Sequence, residues 1–277
     1  MSTNKFFSMP VGTLRRRLDQ SAIYDWAMRC PIVAYSLFIL ARDVFAFSQQ
    51  LQHDPGLFER FDGNVAVLAR LSQWMFVILL SLLPLFRLRP IAKSEDMLPR
   101  IGALVAVCLP LMFMQLERAP ASLAFNLPAL AVGLFANVMA VVTVSFLGRS
   151  LSVMPEARRL VESGPYSIVR HPLYLCEMLG IGAVFLQYRS LPAAGLLLLA
   201  TALQVKRARW EENVLARAFP DFAAYRSRTS FLIPSNPMGL LATFVATPTA
   251  RRRLALIIVI IVTLMALTAT VPWRLAA

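Results

Sequence analysis

The sequence predicts an all-α integral membrane protein with about seven transmembrane helices. Apolar residues make up 58% of its 277 residues, and the mean hydropathy is +0.62, whereas soluble domains are usually about 45–50% apolar. The excess is concentrated in stretches close to the roughly 17–25 residues that cross a bilayer. The predicted membrane spans are 30–48, 63–86, 101–116, 122–147, 172–187, 190–205 and 254–273.

The distribution of basic residues predicts a cytoplasmic N-terminus. With that orientation, 22 of the 28 Lys and Arg residues fall in cytoplasmic segments, as the positive-inside rule requires. We therefore expect a multi-pass protein of the cell inner membrane. The net charge of +13 is explained by basic loops beside anionic headgroups, so membrane lipids are expected as partners and nucleic acid is not.

Several common kinds of catalytic site are not expected. Cys30, Cys108 and Cys176 are isolated and show no CxxC spacing, and no HExxH motif or His/Cys cluster is present. We therefore expect neither a disulfide framework nor a metal site. The sequence also contains no P-loop, no GxGxxG turn and no GxSxG elbow, which argues against nucleotide-binding sheets and serine hydrolases.

The chain is expected to have three parts. Residues 1–119 would form a lead-in and three membrane helices, 120–234 a core containing a helical hairpin at 172–205, and 235–277 a linker and last helix. Two polar segments, 148–171 and 206–253, follow the predicted fourth and sixth helices. Because both are predicted to be cytoplasmic, we expect a catalytic region built from these loops, where the two segments meet.

The start of the second segment, residues 206–219, is read as a helix with a mixed face. At about 100° per residue, Arg207 and Glu211 fall in the middle of its apolar half, four residues apart, and Glu212 falls at the edge of that half. An ordinary i,i+4 ion pair remains one interpretation. Charges on a buried face are costly, however, and tend to mark a functional site.

The first segment ends in a sequence typical of a helix start. Residues 164–166 read Gly-Pro-Tyr, a turn signal, and His171 precedes Pro172, a residue suited to a first helical turn. Free backbone N–H groups at helix N-termini bind anionic groups. A carboxylate- or ribose-binding corner near His171 is therefore one interpretation, and a structural histidine is the other.

The residues at 164–174 (GPYSIVRHPLY), 207–215 (RARWEENVL) and 219–234 (FPDFAAYRSRTSFLIP) resemble the isoprenylcysteine carboxyl methyltransferase family. That family belongs to a wider group with the phospholipid N-methyltransferases. The resemblance covers roughly residues 120–234 and keeps the order of the motifs, with a two-helix hairpin between them. It implies a membrane enzyme that binds S-adenosylmethionine in a cytoplasmic pocket and methylates a lipophilic small molecule or a lipidated substrate.

The resemblance also implies positions for the site. Arg207 would face the substrate, and Arg207 and Glu211 would be the catalytic pair. The implied cofactor-binding residues are Met154, Arg158, Arg159, Leu160, Val161, Tyr166, His171, Pro172, Leu173, Tyr174 and Glu211. Around 154–159 the sequence departs from eukaryotic relatives, since it has an apolar Met154, and Arg158 and Arg159 in place of small or neutral residues.

A carboxylate acceptor needs a cation and no general base, which favours carboxyl O-methylation of an isoprenylcysteine-like or lipidic acid. N-methylation of a phospholipid or aminolipid is the first alternative, and an NADPH-dependent membrane reductase is the second. A non-catalytic scaffold is the third, and the charged residues within predicted spans would support it. These are Arg42, Asp43, Arg70 and Glu177, although Glu177 is also read as a polar residue bonded to a neighbouring helix.

Overall fold

The computed structural model describes residues 22–82, 91–94, 96–120, 122–147, 150, 154–246, 252 and 255. The seventh predicted span lies outside this part of the chain apart from Ala255, as do residues 1–21 of the predicted lead-in.

Helices dominate the described residues, as predicted. The α-helices are α1 (Ala22–His53), α2 (Phe61–Leu82), α3 (Met97–Cys108), α4 (Leu123–Leu147), α5 (Pro172–Tyr188), α6 (Leu191–Ala218), α7 (Phe222–Arg228) and α8 (Pro237–Ala246). Short 3-10 helices cover Pro55–Glu59, Leu109–Gln115 and Gly164–Ser167. One exception to the all-α prediction is a two-stranded antiparallel sheet formed by β1 (Ala92–Lys93) and β2 (Glu156–Ala157).

Two helical segments of the described chain are long and apolar enough to cross a membrane. They are Met97–Gln115 and Leu123–Leu147, and α5 is a shorter apolar helix. The first changes from α to 3-10 geometry at Leu109, because Pro110 has no N–H to continue the α-helical ladder. The total of seven spans and the orientation remain predictions.

Helix α4 lies at the centre of the bundle and packs against both α2 and α5. Beside it, α5 and α6 contact each other and share a core with Phe113, Ile181 and Tyr188. Ala193 and Ala200 of α6 are fully buried in this core, since small side chains allow helices to approach closely.

The turn between α5 and α6 is very short. Arg189 adopts the left-handed conformation with φ 41°, and its N–H is bonded to the carbonyl of Phe185. Ser190 then caps α6 by accepting a hydrogen bond from the N–H of Ala193 at 3.3 Å. These two residues reverse the chain between the helices, at the position where the sequence predicts the turn of a hairpin.

Helix α6 continues well beyond the predicted end of its membrane span at residue 205. It ends at Ala218, and Phe219 is extended with φ −128° and ψ 115°. Pro220 explains this end, because a residue before proline is disfavoured in the helical conformation. The helix predicted at 206–219 is therefore, up to Ala218, a continuous extension of the sixth predicted membrane helix.

Candidate active site

Three segments meet at the start of α5: the loop at 164–171, the end of α6, and the tail at 219–231. The loop and the tail are joined by backbone hydrogen bonds. The N–H of Arg170 donates to the carbonyl of Ser230 at 2.9 Å, and the N–H of Ser230 donates to that of Ile168 at 2.9 Å. The Tyr225 hydroxyl adds a bond to the carbonyl of Tyr166 at 2.8 Å.

The turn at 164–166 requires its glycine. Gly164 has φ +62°, and a Cβ on it would lie 2.5 Å from the ring of Phe146. Only glycine combines this conformation with so close an approach. The turn therefore holds the loop directly against the end of α4.

Glu212 connects all three segments. Its Oε1 accepts a hydrogen bond from Arg170 Nε at 2.6 Å and lies 3.3 Å from His171 Nε2. Arg170 also donates to the tail carbonyls of Arg226 and Thr229. Burial alone would raise the pKa of Glu212, but the bonds from His171 and Arg170 outweigh it and hold the pKa below its usual value. Glu212 is therefore an ionised anchor between the loop and the tail.

The sequence predicts that Glu211 is more deeply buried than Glu212, and this prediction is wrong. Glu212, placed at the edge of the apolar half, is only 7% exposed, whereas Glu211, placed at its centre, is half-buried. A helical wheel assumes that only one face of a helix is buried, but the loop and the tail cover a second side of α6. Arg207 is 4% exposed, so its inward position is confirmed.

A cleft opens on the other side of this junction, between α4, α5 and α6. Its lining residues are Leu147, Ser150, Tyr166, Arg170, His171, Leu173, Tyr174, Arg207 and Glu211. Glu211 accepts a hydrogen bond from the Tyr174 hydroxyl at 2.6 Å. Burial raises the pKa of Tyr166 well above its usual value, so this phenol stays protonated. The cleft thus combines a carboxylate, two guanidinium groups, an imidazole and two phenols.

Arg207 forms the inner wall of the cleft. Its Nη1 lies 3.4 Å from the Glu177 carboxylate and 3.3 Å from Gln204 Oε1, and its guanidinium lies 4.7 Å from the centre of the Tyr174 ring. Gln204 also donates to Glu177 at 2.8 Å. Glu177 is therefore bonded to a neighbouring helix, as expected for a bundle-facing residue, and it holds Arg207 in place.

Six of the residues predicted for the site line this one cleft: Tyr166, His171, Leu173, Tyr174, Arg207 and Glu211. Pro172 is buried in the first turn of α5. The remaining predicted cofactor residues, Met154, Arg158, Arg159, Leu160 and Val161, do not line the cleft.

The segment after Met154 has a packing role in this structure. Glu156 and Ala157 form β2, which pairs with β1 and contacts α6. Arg158 is buried, with its Nη2 2.6 Å from Glu156, and Arg159 is exposed. A buried ion pair and a strand pairing explain the placement of Glu156, Ala157 and Arg158. The family resemblance predicts neither contact.

Gln204 and Arg170 were not among the residues predicted for the site, and Glu212 was considered only in comparison with Glu211. The signal for Arg170 was its position next to the His-Pro helix start, and the signal for Gln204 was a polar residue within a predicted span. Among the described residues, no group of three or more His, Cys, Asp and Glu side chains is arranged to hold a metal ion.

Comparisons with known proteins place this cleft in a family domain. Residues 122–221 match the model of a family described as phospholipid methyltransferase, and that range contains every residue that lines the cleft.

Two curated relatives match parts of the chain. The cobalt-zinc-cadmium resistance protein CzcN of Cupriavidus metallidurans is 47% identical over 76 residues, which cover 27% of this chain and 35% of that protein. The nickel-cobalt-cadmium resistance protein NccN of Alcaligenes xylosoxydans xylosoxydans is 38% identical over 107 residues, which cover 38% of this chain and 49% of that protein. The chain thus spans half or less of each relative. The match of residues 122–221 to the phospholipid methyltransferase family confirms the family resemblance predicted from the motifs.

Proposed function

We propose that this protein transfers a methyl group from S-adenosylmethionine to the carboxylate of a lipophilic acid at the cytoplasmic face of the inner membrane. One observation carries the proposal: Arg207 and Glu211, one helical turn apart on α6, line the same cleft. That cleft lies where the apolar hairpin meets the polar loop and tail, so a lipophilic acceptor and a polar cofactor have adjoining surfaces.

The cleft residues fit the polar groups of S-adenosylmethionine. The Glu211 carboxylate is an acceptor, as ribose hydroxyls and an amino group require, and Arg170 and His171 of the cleft wall would supply donors to a cofactor carboxylate. Bound S-adenosylmethionine would supply an electrophilic methyl group on a sulfonium. The contribution of the chain is to position the donor and the acceptor and to exclude water.

The arrangement of bases favours an acid as the acceptor. Glu212 is held ionised by Arg170 and His171, and a carboxylate with a lowered pKa is a weak general base. Glu211 already accepts a hydrogen bond from the Tyr174 hydroxyl, and the cofactor would use its remaining acceptor positions. A carboxylate acceptor needs no deprotonation, and Arg207, which is buried and bonded to Glu177, would supply the cation that holds it. N-methylation of an aminolipid is the second candidate, which the description of the matching family favours.

The experiment uses the purified full chain, a membrane lipid extract and S-adenosylmethionine labelled in the methyl group. We expect label in the lipid fraction that alkali releases as methanol, because methyl esters hydrolyse and N-methyl groups do not. Alkali-stable label would show that the acceptor is an amine and not a carboxylate. The absence of any transfer would contradict the proposal.

Substitution of Arg207 by lysine should keep cofactor binding and lose most turnover. Lysine keeps the charge but not the planar fork that grips a carboxylate. Arg209→Lys is the matched control, because Arg209 is exposed on the same helix, two residues away. Equal turnover in both variants would show that Arg207 does not contact the acceptor.

The names of the two relatives suggest a link between this chain and tolerance of metal cations. We propose that the methylated product explains this link, because methylation of a carboxylate removes a negative oxygen ligand for divalent cations. Cells that lack the gene should be more sensitive to zinc or cadmium, and a wild-type copy should restore tolerance whereas an Arg207→Lys copy should not. Full restoration by the variant would separate tolerance from methyl transfer.

A further inference from the structure

Gln204 is a buried polar side chain of α6 that lies behind the wall of the cleft and does not line it. It is 2% exposed and stands three residues before Arg207, so the two side chains share one face of the helix. Across the helix pair lies Glu177 of α5, which is 6% exposed. A polar group at this depth is costly unless it is bonded, and both ends of the Gln204 amide have a partner.

Those two partners differ in charge. Gln204 Nε2 donates to Glu177 Oε2 at 2.8 Å, and Gln204 Oε1 accepts from Arg207 Nη1 at 3.3 Å. Arg207 Nη1 also lies 3.4 Å from the same Glu177 oxygen. The carboxylate, the amide and the guanidinium therefore form a closed ring of contacts between α5 and α6.

The chemistry of the ring explains why position 204 carries an amide. A carboxylate only accepts and a guanidinium only donates, whereas an amide does both. A glutamate at this position would place a second carboxylate against Glu177, and a lysine would place a second cation against Arg207. A methionine of similar length would bond to neither.

Gln204 also affects the distance between the two charges. A guanidinium and a carboxylate usually approach to about 2.7–2.9 Å, often with two parallel hydrogen bonds. Arg207 Nη1 remains at 3.4 Å from Glu177 Oε2, and the same oxygen accepts the shorter bond from Gln204. The guanidinium meanwhile lies 4.7 Å from the centre of the Tyr174 ring, at the wall of the cleft.

We propose that Gln204 is a positioning residue for methyl transfer, which shares Glu177 with Arg207 and thereby keeps the guanidinium at the cleft. This role rests on the proposed function, in which Arg207 holds the carboxylate of the acceptor. Without the amide, Arg207 should close onto Glu177 and withdraw from the acceptor. Glu211 and Tyr174, which are bonded to each other, should keep their places and their affinity for the cofactor.

Gln204→Met tests this role, because it removes both hydrogen bonds and keeps the length of the side chain. The purified full chain is assayed with the membrane lipid extract and methyl-labelled S-adenosylmethionine. We expect transfer to fall by about tenfold or more, the scale of one charge-assisted hydrogen bond, while calorimetry shows an unchanged affinity for S-adenosylmethionine. Gln187→Met is the matched control, because Gln187 is also a buried amide bonded to an arginine, Arg118, and neither residue lines the cleft.

An exchange of the two acidic and amide positions tests the same contact without removing it. Gln204→Glu alone should reduce transfer, because two carboxylates then face each other beside Arg207. Combined with Glu177→Gln, it again provides one carboxylate and one amide, and part of the transfer should return. Such recovery measures the coupling between the two positions directly, and a double variant no more active than Gln204→Glu would count against the ring.

The remaining outcomes separate this role from its alternatives. Unchanged transfer in Gln204→Met, or an equal loss in Gln187→Met, would overturn it. A loss of cofactor affinity in step with the loss of transfer would show that Gln204 only supports the fold, which would overturn it as well. An absence of transfer by the wild-type protein would instead contradict the proposed function on which this role rests.

Discussion

The end of α6 presents two faces that use adjacent carboxylates for different purposes. The anchoring face consists of Glu212 with Arg170, His171 and the tail, and its carboxylate is buried and paired with cations. The cleft face consists of Arg207, Glu211 and Tyr174, and its carboxylate is half-buried beside an open space. The difference teaches that burial of a charge does not by itself mark a binding site: we propose a structural role for the deeper carboxylate and cofactor binding for the one at the cleft.

Substitution of Glu212 by glutamine should give the largest effect, on stability. The change leaves Arg170 buried without its anion, which typically costs about 3–5 kcal/mol for a buried pair. Chemical denaturation of the full chain in detergent measures the loss. Glu162→Gln is the matched control, because the Glu162–Arg228 pair is exposed and such pairs contribute only about 0–1 kcal/mol. Similar losses in both variants would remove the distinction between an anchor and a surface ion pair.

Substitution of Glu211 by glutamine should act on affinity and leave stability nearly unchanged. The cofactor would lose a hydrogen bond to a charged group, so S-adenosylmethionine binding should weaken by about 1.5–3 kcal/mol. Calorimetry in detergent measures this. If Glu212→Gln reduces the affinity of a still-folded protein more than Glu211→Gln does, the two faces have been assigned the wrong way round.

The smallest expected effect is the loss, at low pH, of the contribution that Glu212 makes to stability. The folded-state pKa of Glu212 is lowered from its usual value of 4.5, so its contribution to stability is complete above that pH and is lost as the pH falls through the folded-state pKa. The difference in unfolding free energy between wild type and Glu212→Gln should therefore be constant near neutral pH and shrink in strong acid. A difference that grew on acidification would contradict an ionised Glu212.

The contrast between the two faces also shows what the sequence could and could not predict. The hairpin, the inward Arg207 and the convergence of the 164–171 loop with the end of α6 follow from apolar periodicity, the turn signals and the spacing of the motifs. The pairing of Glu212 with Arg170 does not, because these residues are 42 positions apart and a helical wheel contains no tertiary contacts. The strand pairing of residues 156–157 could not be predicted for the same reason, since β2 pairs with the distant β1.

The ligand of the cleft decides whether it is a methyltransferase site. Purified wild-type protein in detergent should be titrated by calorimetry with S-adenosylmethionine and, separately, with NADPH. We expect saturable binding of S-adenosylmethionine alone, weakened in Glu211→Gln and retained in Arg207→Lys. Binding of NADPH alone would indicate a reductase, and binding of neither would indicate a non-catalytic membrane protein. Either result would contradict the assignment of the cleft as a methyltransferase site.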